Sequence, residues 1–379
     1  MRRIDTVVRE NWKKKVEEIG FGFHTIDGTY WDESAYYSFN NKQIEQLESA
    51  TSELFDRCLD AVQFVIDHNL YHFFRIDPRF IPLIEASWNN DYPSIYGRFD
   101  FVYDGVKPPK MLEFNADTPT SLFEASVVQW HWLEDLQPGA DQFNSIHEKL
   151  IDYWKYLLPY LKAGNLYFSC LKENEEDFTT VQYLQDCAIQ AGLNTAFIYL
   201  EDIGWNGESQ RFVDLNDNPI TNVFKLYPWE WLVKDEFGNN ILNDSLKAFW
   251  IEPAWKMLLS NKAILPILWQ LFPNHPNLLA SYFDNNKLPH DYVKKPLLSR
   301  EGENISIVRS GGILASTEGS YGSEGFIFQE YAPIPAFKGN YPVIGSWVIG
   351  CEPAGIGIRE TKTLITDNLS RFVPHVIGN

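Results

Sequence analysis

Cysteine is scarce, with four residues in a chain of 379, at positions 58, 170, 187 and 351 and without paired spacing. That pattern gives no disulfide framework and no thiolate metal site, so the four read as buried free thiols. The eight histidines show no HxxH or HExxH spacing and no GxSxG elbow occurs, which leaves zinc hydrolysis and triad catalysis without support. Long hydrophobic runs are missing too. The longest, near Ala263 to Phe272, is broken by Pro266 and Gln270 and is too short to span a membrane. The basic start MRRIDTVVRENWKKK has no apolar stretch behind it, so it is not a secretory signal, and the expected location is the cytoplasm. Positive charge is in deficit: 32 Lys and Arg stand against 51 Asp and Glu, a formal net charge of −19. Such a chain is poorly suited to neutralising nucleic-acid phosphates but is compatible with a cationic substrate.

What the chain has is apolar material, 45% of its residues, with 13 Trp and 26 Phe, enough for a large packed core. Its length predicts two or three interlocking subdomains rather than one simple core. Ile44, Leu47, Leu54, Cys58, Leu59, Val62 and Ile66 fall at helical spacing. Thr118-Pro119 reads as a cap and first-turn pair, and Ser121-x-x-Glu124 as a capping box opening a Trp-rich helix through Trp132. A βαβ unit follows, with a strand over Leu166 to Leu171, a helix over Glu176 to Ala191 closed by Gly192, and a strand over Thr195 to Leu200. A second helical run, Ala254 to Phe272, precedes a strand-rich C-terminal third.

The most informative stretch is YGRFDFVYDGVKPPKMLEFNADTPTS, from Tyr96 to Ser121. Strand alternation puts Arg98 and Asp100 on one face and Phe99 and Phe101 on the other. On the return strand Glu113 and Asn115 share a face opposite Leu112 and Phe114, and Asp104-Gly105 supplies turn chemistry. If the apolar faces coincide, Asp100, Glu113 and Asn115 converge as hard oxygen ligands of the kind Mg²⁺ takes alongside phosphate oxygens, with Arg98 beside them. The same alternation also describes an ordinary hairpin with one wet face. Lys262 lies in the helical-looking SNKAILPILW, where a buried stem would leave its ammonium facing a cleft, or simply water. Lys295 and Gly302 lie in YVKKPLLSREGENISIV, a strand, loop and strand able to cradle phosphate or to form an exposed hairpin. The strand from Phe326 leads into Gln329 to Pro335, and GIGIRETKTLIT sets Arg359 at the end of a glycine-rich strand. Either segment is equally at home facing a nucleotide or water.

In order along the chain, GRFDF, LEFNAD, SNKAILPILW, VKKPLLSREGENIS, IFQEY and GIGIRE-x-x-TLIT resemble the synthetase domain of the glutathionylspermidine synthase family, within the ATP-grasp ligases. The likeness is greatest to its stand-alone bacterial acid–amine ligases. It implies an α+β or α/β chain with an ATP-grasp fold and a small α/β subdomain packed against it. One synthetase unit over 1–379 is expected, with parts near 1–160 (the hairpin), 161–250 (the small subdomain) and 251–379 (ATP binding), and no amidase domain. It implies ATP and Mg²⁺, two ions by expectation, with Asp100, Glu113 and Asn115 as metal ligands and Arg98 stabilising phosphoryl transfer. The implied nucleotide contacts are Arg98, Phe99, Asp100, Lys262, Lys295, Gly302, Gln329, Glu330, Tyr331, Arg359 and, on a further strand, Leu364, Ile365 and Thr366. The implied partners are a small carboxylic acid and an amine, a peptide or polyamine among the candidates. The segment NADTPTSLFEA departs from the serine-containing segment that helps hold glutathione in the true synthases, which puts glutathione and spermidine in doubt. A non-catalytic ATP- or polyamine-binding protein, or a true glutathionylspermidine synthase, stays open as an alternative.

Overall fold

The computed structural model describes residues 1–25, 28–244, 246–367 and 370–378. Tyr96–Val102 and Lys110–Asn115 form one side of a five-stranded antiparallel sheet, in the order Arg371–Val373, Glu352–Thr361, Tyr341–Ile349, Tyr96–Val102, Lys110–Asn115. One face of this sheet carries Phe99, Phe101, Phe114, Ile344, Ile356 and Ile358 into the main core. Against it packs the helix Asn41–Asp67, whose Leu47, Leu54, Phe55, Cys58 and Val62 are buried at helical spacing, as the sequence predicts. Each such Leu or Phe contributes about 2 kcal/mol by leaving water. The helix starts sharply because the Asn40 carboxamide accepts from the Gln43 N–H at 2.9 Å and Gln43 accepts in return from the Asn40 N–H. A second core, rich in Trp31, Trp132, Trp154 and Trp347, lies beyond the first.

The strands Ser281–Tyr282, Phe326–Glu330, Tyr292–Pro296, Ser306–Arg309 and Gly312–Ser316 build another antiparallel sheet in that order. Lys295 ties it to the first sheet by donating from Nζ to the Leu112 carbonyl at 2.9 Å. A four-stranded parallel sheet, Phe249–Ile251, Asn222–Lys225, Leu166–Ser169, Thr195–Phe197, carries the expected βαβ unit with the helix Glu175–Gln190. Helices and sheets of both kinds make the chain α+β.

Five local expectations need correction. A bulge between Asp100 and Phe101 pairs Phe101 with Met111, so Met111 enters the core and Leu112 turns to the polar side with Glu113. The run Ala254 to Phe272 is not one helix but two, Lys256–Leu259 and Ile264–Leu271. Lys262 lies in the turn between them, because the Asn261 side chain bonds Phe74 O and the Ala263 N–H. Ser121 and Glu124 make no capping box: Ser121 has φ of 67°, and both side chains meet the Tyr30 hydroxyl instead. Cys351 is exposed whereas Cys58, Cys170 and Cys187 are buried, and Leu364–Thr366 form a bend rather than a strand. No described helix is long and apolar enough to cross a membrane.

Candidate active site

The hairpin register sets Arg98 opposite Asn115 and Asp100 opposite Glu113, and all four line a cleft between the two antiparallel sheets. Arg98 is almost fully buried. Its stem runs over Gly345, where an added Cβ would come within 2.7 Å of Arg98 Cδ, so this strand position tolerates only glycine beside the arginine. The guanidinium donates to Asp100 from Nε at 2.8 Å and from Nη2 at 3.2 Å, and from Nη1 to the Thr120 carbonyl. Arg359 donates to the same carboxylate from Nη2 at 2.7 Å. Burial first, and then the nearness of Arg98, lower the Arg359 pKa, an effect opposed by Asp100. The buried Arg98 and the partly buried Arg359 guanidiniums thus share one carboxylate and have capacity for a further anion.

Glu113 meets the Lys262 ammonium at 3.1 Å and accepts from Asn115 Nδ2 at 3.4 Å, while Lys262 also donates to Ser299 O at 2.6 Å. Burial alone would raise the Glu113 carboxyl. Lys262, Lys295 and Arg359 overcome that and hold it at about 2. Lys295 is pushed the other way, down to about 8, by burial, with Glu113 resisting the fall and Lys262 adding to it. Its second partner is Gln329 Oε1 at 2.7 Å.

The cleft has an apolar end formed by Leu112, Val293, Ile307, Tyr331 and Ile365, across from the charged end. Gly302 sits in the Ser299–Asn304 loop over it with φ of 71°, and a Cβ there would come within 2.3 Å of Thr366 O. Only glycine allows the loop to lie this close to the bend. Of the residues named from sequence, the fold brings Arg98, Asp100, Glu113, Asn115, Lys262, Lys295, Gly302, Tyr331, Arg359, Leu364, Ile365 and Thr366 to this one cleft. Three are placed off its lining. The Phe99 ring is stacked on Phe114 in the core, Gln329 is buried behind Lys295, and Glu330 is exposed and accepts from Ala280 N.

Asp100, Glu113 and Asn115 offer two carboxylates and one carboxamide oxygen to the cleft. This donor set suits Mg²⁺, which takes one or two carboxylates and completes its octahedron with phosphate oxygens and water. Among the described residues there is no denser His, Cys, Asp or Glu cluster suited to a metal.

Sequence reasoning missed Arg300, which lines the cleft and donates to Thr118 Oγ1 and Glu230 Oε1, each at 2.7 Å. Its position beside Gly302 in the polar loop was the available signal. Also missed was an acidic group beside the arginines. The Tyr30 hydroxyl donates to Glu124 Oε1, and Glu124 Oε2 is buried with no partner. Burial raises Glu124 to about 7, against the pull of Tyr30, Arg98 and Arg359. Burial, then repulsion from Glu124, Asp177 and Glu301, raises Glu176 to about 8. Asp177 is raised to about 6 by burial, with Arg300 opposing.

Residues 3–378 match the model of the family described as glutathionylspermidine synthase preATP-grasp. A Haemophilus influenzae protein named "Putative acid--amine ligase" is 44% identical, with 97% of each chain covered. Trypanothione synthetase of Crithidia fasciculata is 28% identical over 85% of this chain and 53% of its own length. The bifunctional glutathionylspermidine synthetase/amidase of Escherichia coli is 29% identical over 90% of this chain and 59% of its own. The chain therefore spans little more than half of those two longer relatives. In fold, a glutathione synthetase-like effector from Globodera pallida superposes with a TM-score of 0.57 at 10% identity, covering 90% of this chain and 89% of that one. The α+β architecture is thus of the ATP-grasp kind, and the chain belongs to the glutathionylspermidine synthase preATP-grasp family.

Proposed function

We propose that this protein is an ATP-dependent acid–amine ligase that forms a C–N bond through an acyl phosphate, with Mg²⁺. The observation that carries the proposal is the convergence of Arg98, Arg359, Lys262 and Lys295 with Asp100, Glu113 and Asn115 on one cleft between two sheets. A carboxylate and a γ-phosphate repel each other, so their reaction needs fixed positive charge where the transferred group passes. Mg²⁺ held by Asp100, Glu113 and Asn115 would neutralise phosphate oxygens as a Lewis acid. The apolar end with Tyr331 takes the adenine, and Lys295 and Lys262 grip the phosphates as point charges. Arg98 and Arg359 then face the transferred phosphoryl group. A carboxylate oxygen of the acid attacks the γ-phosphorus and ADP leaves. The amine next attacks the acyl carbon, loses a proton and displaces phosphate. Loop Ser299–Asn304 excludes water from the acyl phosphate.

The acidic group Glu124, Glu176 and Asp177 supports an acceptor that carries positive charge, since a cation beside it would restore the ionised carboxylates. The names of the relatives support ligation of a small acid to an amine. Thr118, where the motif departs from the glutathione-holding segment, is occupied by Arg300, which supports an acid other than glutathione. The test is a screen of carboxylates against amines for phosphate release from ATP. Release that requires both partners supports the proposal. Release that is indifferent to either, or nucleotide binding with no release for any pair, contradicts it.

A further inference from the structure

A second cleft, lined in part by Glu230 and sharing no lining residue with the nucleotide cleft, has a cavity volume of about 290 Å³. Its floor is apolar, built from Phe74, Phe80, Val233 and Met257, of which all but Val233 are buried. Its wall carries three cations, Arg75, Arg79 and Lys234, and two carboxylates, Asp77 and Glu230. Both carboxylates are already committed. Asp77 holds Arg79 through both oxygens, at 3.0 and 3.1 Å from its Nε, and Glu230 holds Arg300 at 2.7 Å. Arg75 spends only its Nε, on the Glu324 carbonyl at 3.0 Å, and the Lys234 side chain makes no hydrogen bond or ion pair among the described residues. Arg75 and Lys234 thus flank an apolar floor without a side-chain counter-charge among the described residues, in a chain of net charge −19.

We infer that this cleft is a second binding site, for a small monoanion with an apolar body, an aryl or alkyl carboxylate or sulfonate. The apolar body would cover Phe74 and Met257, and the anionic head would lie between Arg75 and Lys234. The site is wired to the nucleotide cleft at two points. Glu230 forms part of its wall and positions Arg300, which lines the nucleotide cleft. Asn261, another wall residue, bonds Phe74 O at 2.9 Å and precedes Lys262, the partner of Glu113. A ligand in the second cleft therefore changes ATP affinity, and by linkage ATP changes the ligand's affinity by the same factor.

Anilinonaphthalene sulfonate is the probe, followed by its fluorescence on the full chain. The expected results are saturable binding that persists in the presence of excess ATP and Mg²⁺, with an altered dissociation constant. Charge reversal in Arg75→Glu with Lys234→Glu weakens it about tenfold, the scale of two lost charge-assisted contacts. Arg75→Lys with Lys234→Arg retains it, and the neutral body alone, phenylnaphthylamine, binds more weakly to the native chain. Circular dichroism and ATP binding establish that the variants are folded. Displacement of the probe by ATP, binding indifferent to charge reversal, equal affinity for the neutral body, or an ATP affinity identical with and without the probe would each overturn the inference.

Discussion

Replacing Glu113 with glutamine keeps the shape of the side chain and removes its charge. In the native chain that carboxylate sits 3.1 Å from the Lys262 ammonium and is held at about 2 rather than its ordinary 4.5. With 1.36 kcal/mol per unit, the site favours the ionised form by roughly 3 kcal/mol. Because the folded value is depressed, this stability is present above pH 4.5 and is lost as pH falls through about 2. Glu113→Gln should therefore remove part of the acid dependence of unfolding, followed by urea titration between those pH values. Loss of a metal-ligating charge should lower Mg²⁺-dependent turnover at least ~100-fold, since about 3 kcal/mol of transition-state stabilisation corresponds to that factor. ATP binding without Mg²⁺ should at the same time hold steady or tighten, because Lys262 is released from its counter-charge. Steady-state kinetics across Mg²⁺ concentrations, with calorimetry of metal-free ATP binding, separate the two effects. Near-native turnover at saturating Mg²⁺ would remove Glu113 from the metal site and refute the reasoning.

Lys295→Ala should raise the dissociation constant for ATP far more than that for AMP, because the lysine acts as a point charge on the β- and γ-phosphates; equal losses in calorimetry would assign it to the fold. The pH dependence of acceptor binding follows from Glu124 and Glu176, held at about 7 and about 8. A cation favours their ionised forms, so binding near pH 7 should release protons and tighten as pH rises toward 8, measured by calorimetry in buffers of different ionisation enthalpy; proton uptake would contradict the assignment. A reaction of ATP, Mg²⁺, glutathione and spermidine should give little or no conjugate by mass spectrometry, and formation at about 1 per second or faster would show that the departure after Asn115 has been overread.

The hairpin was legible because a period of two, set by the pleat, forces Arg98 and Asp100 to one side and their phenylalanine neighbours to the other. The bulge that turns Leu112 outward was not, since it depends on Met111 finding a place in a distant core. Lys262 was read onto a helix from continuous apolar spacing, and the break comes from Asn261 bonding Phe74 O, a contact nearly two hundred residues back along the chain. The first turn of Glu175–Gln190 is acidic, which any helix N-terminus favours, so nothing local marked Glu176 and Asp177 as neighbours of the arginine cleft. Arg98, Lys262, Lys295 and Arg359 are scattered over 262 positions of chain and meet only where the two sheets and the turn that carries Lys262 line one cleft. It was the resemblance of ordered motifs, rather than spacing, that grouped them.

The central claim is the transfer of a carboxylate oxygen to phosphorus, and an isotope reports it directly. With an acid–amine pair from the phosphate-release screen, the acid is labelled with oxygen-18 in its carboxylate and the released phosphate is examined by mass spectrometry. An acyl phosphate predicts one labelled oxygen in each phosphate formed, matched in amount to the amide. Unlabelled phosphate accompanying amide formation would contradict it.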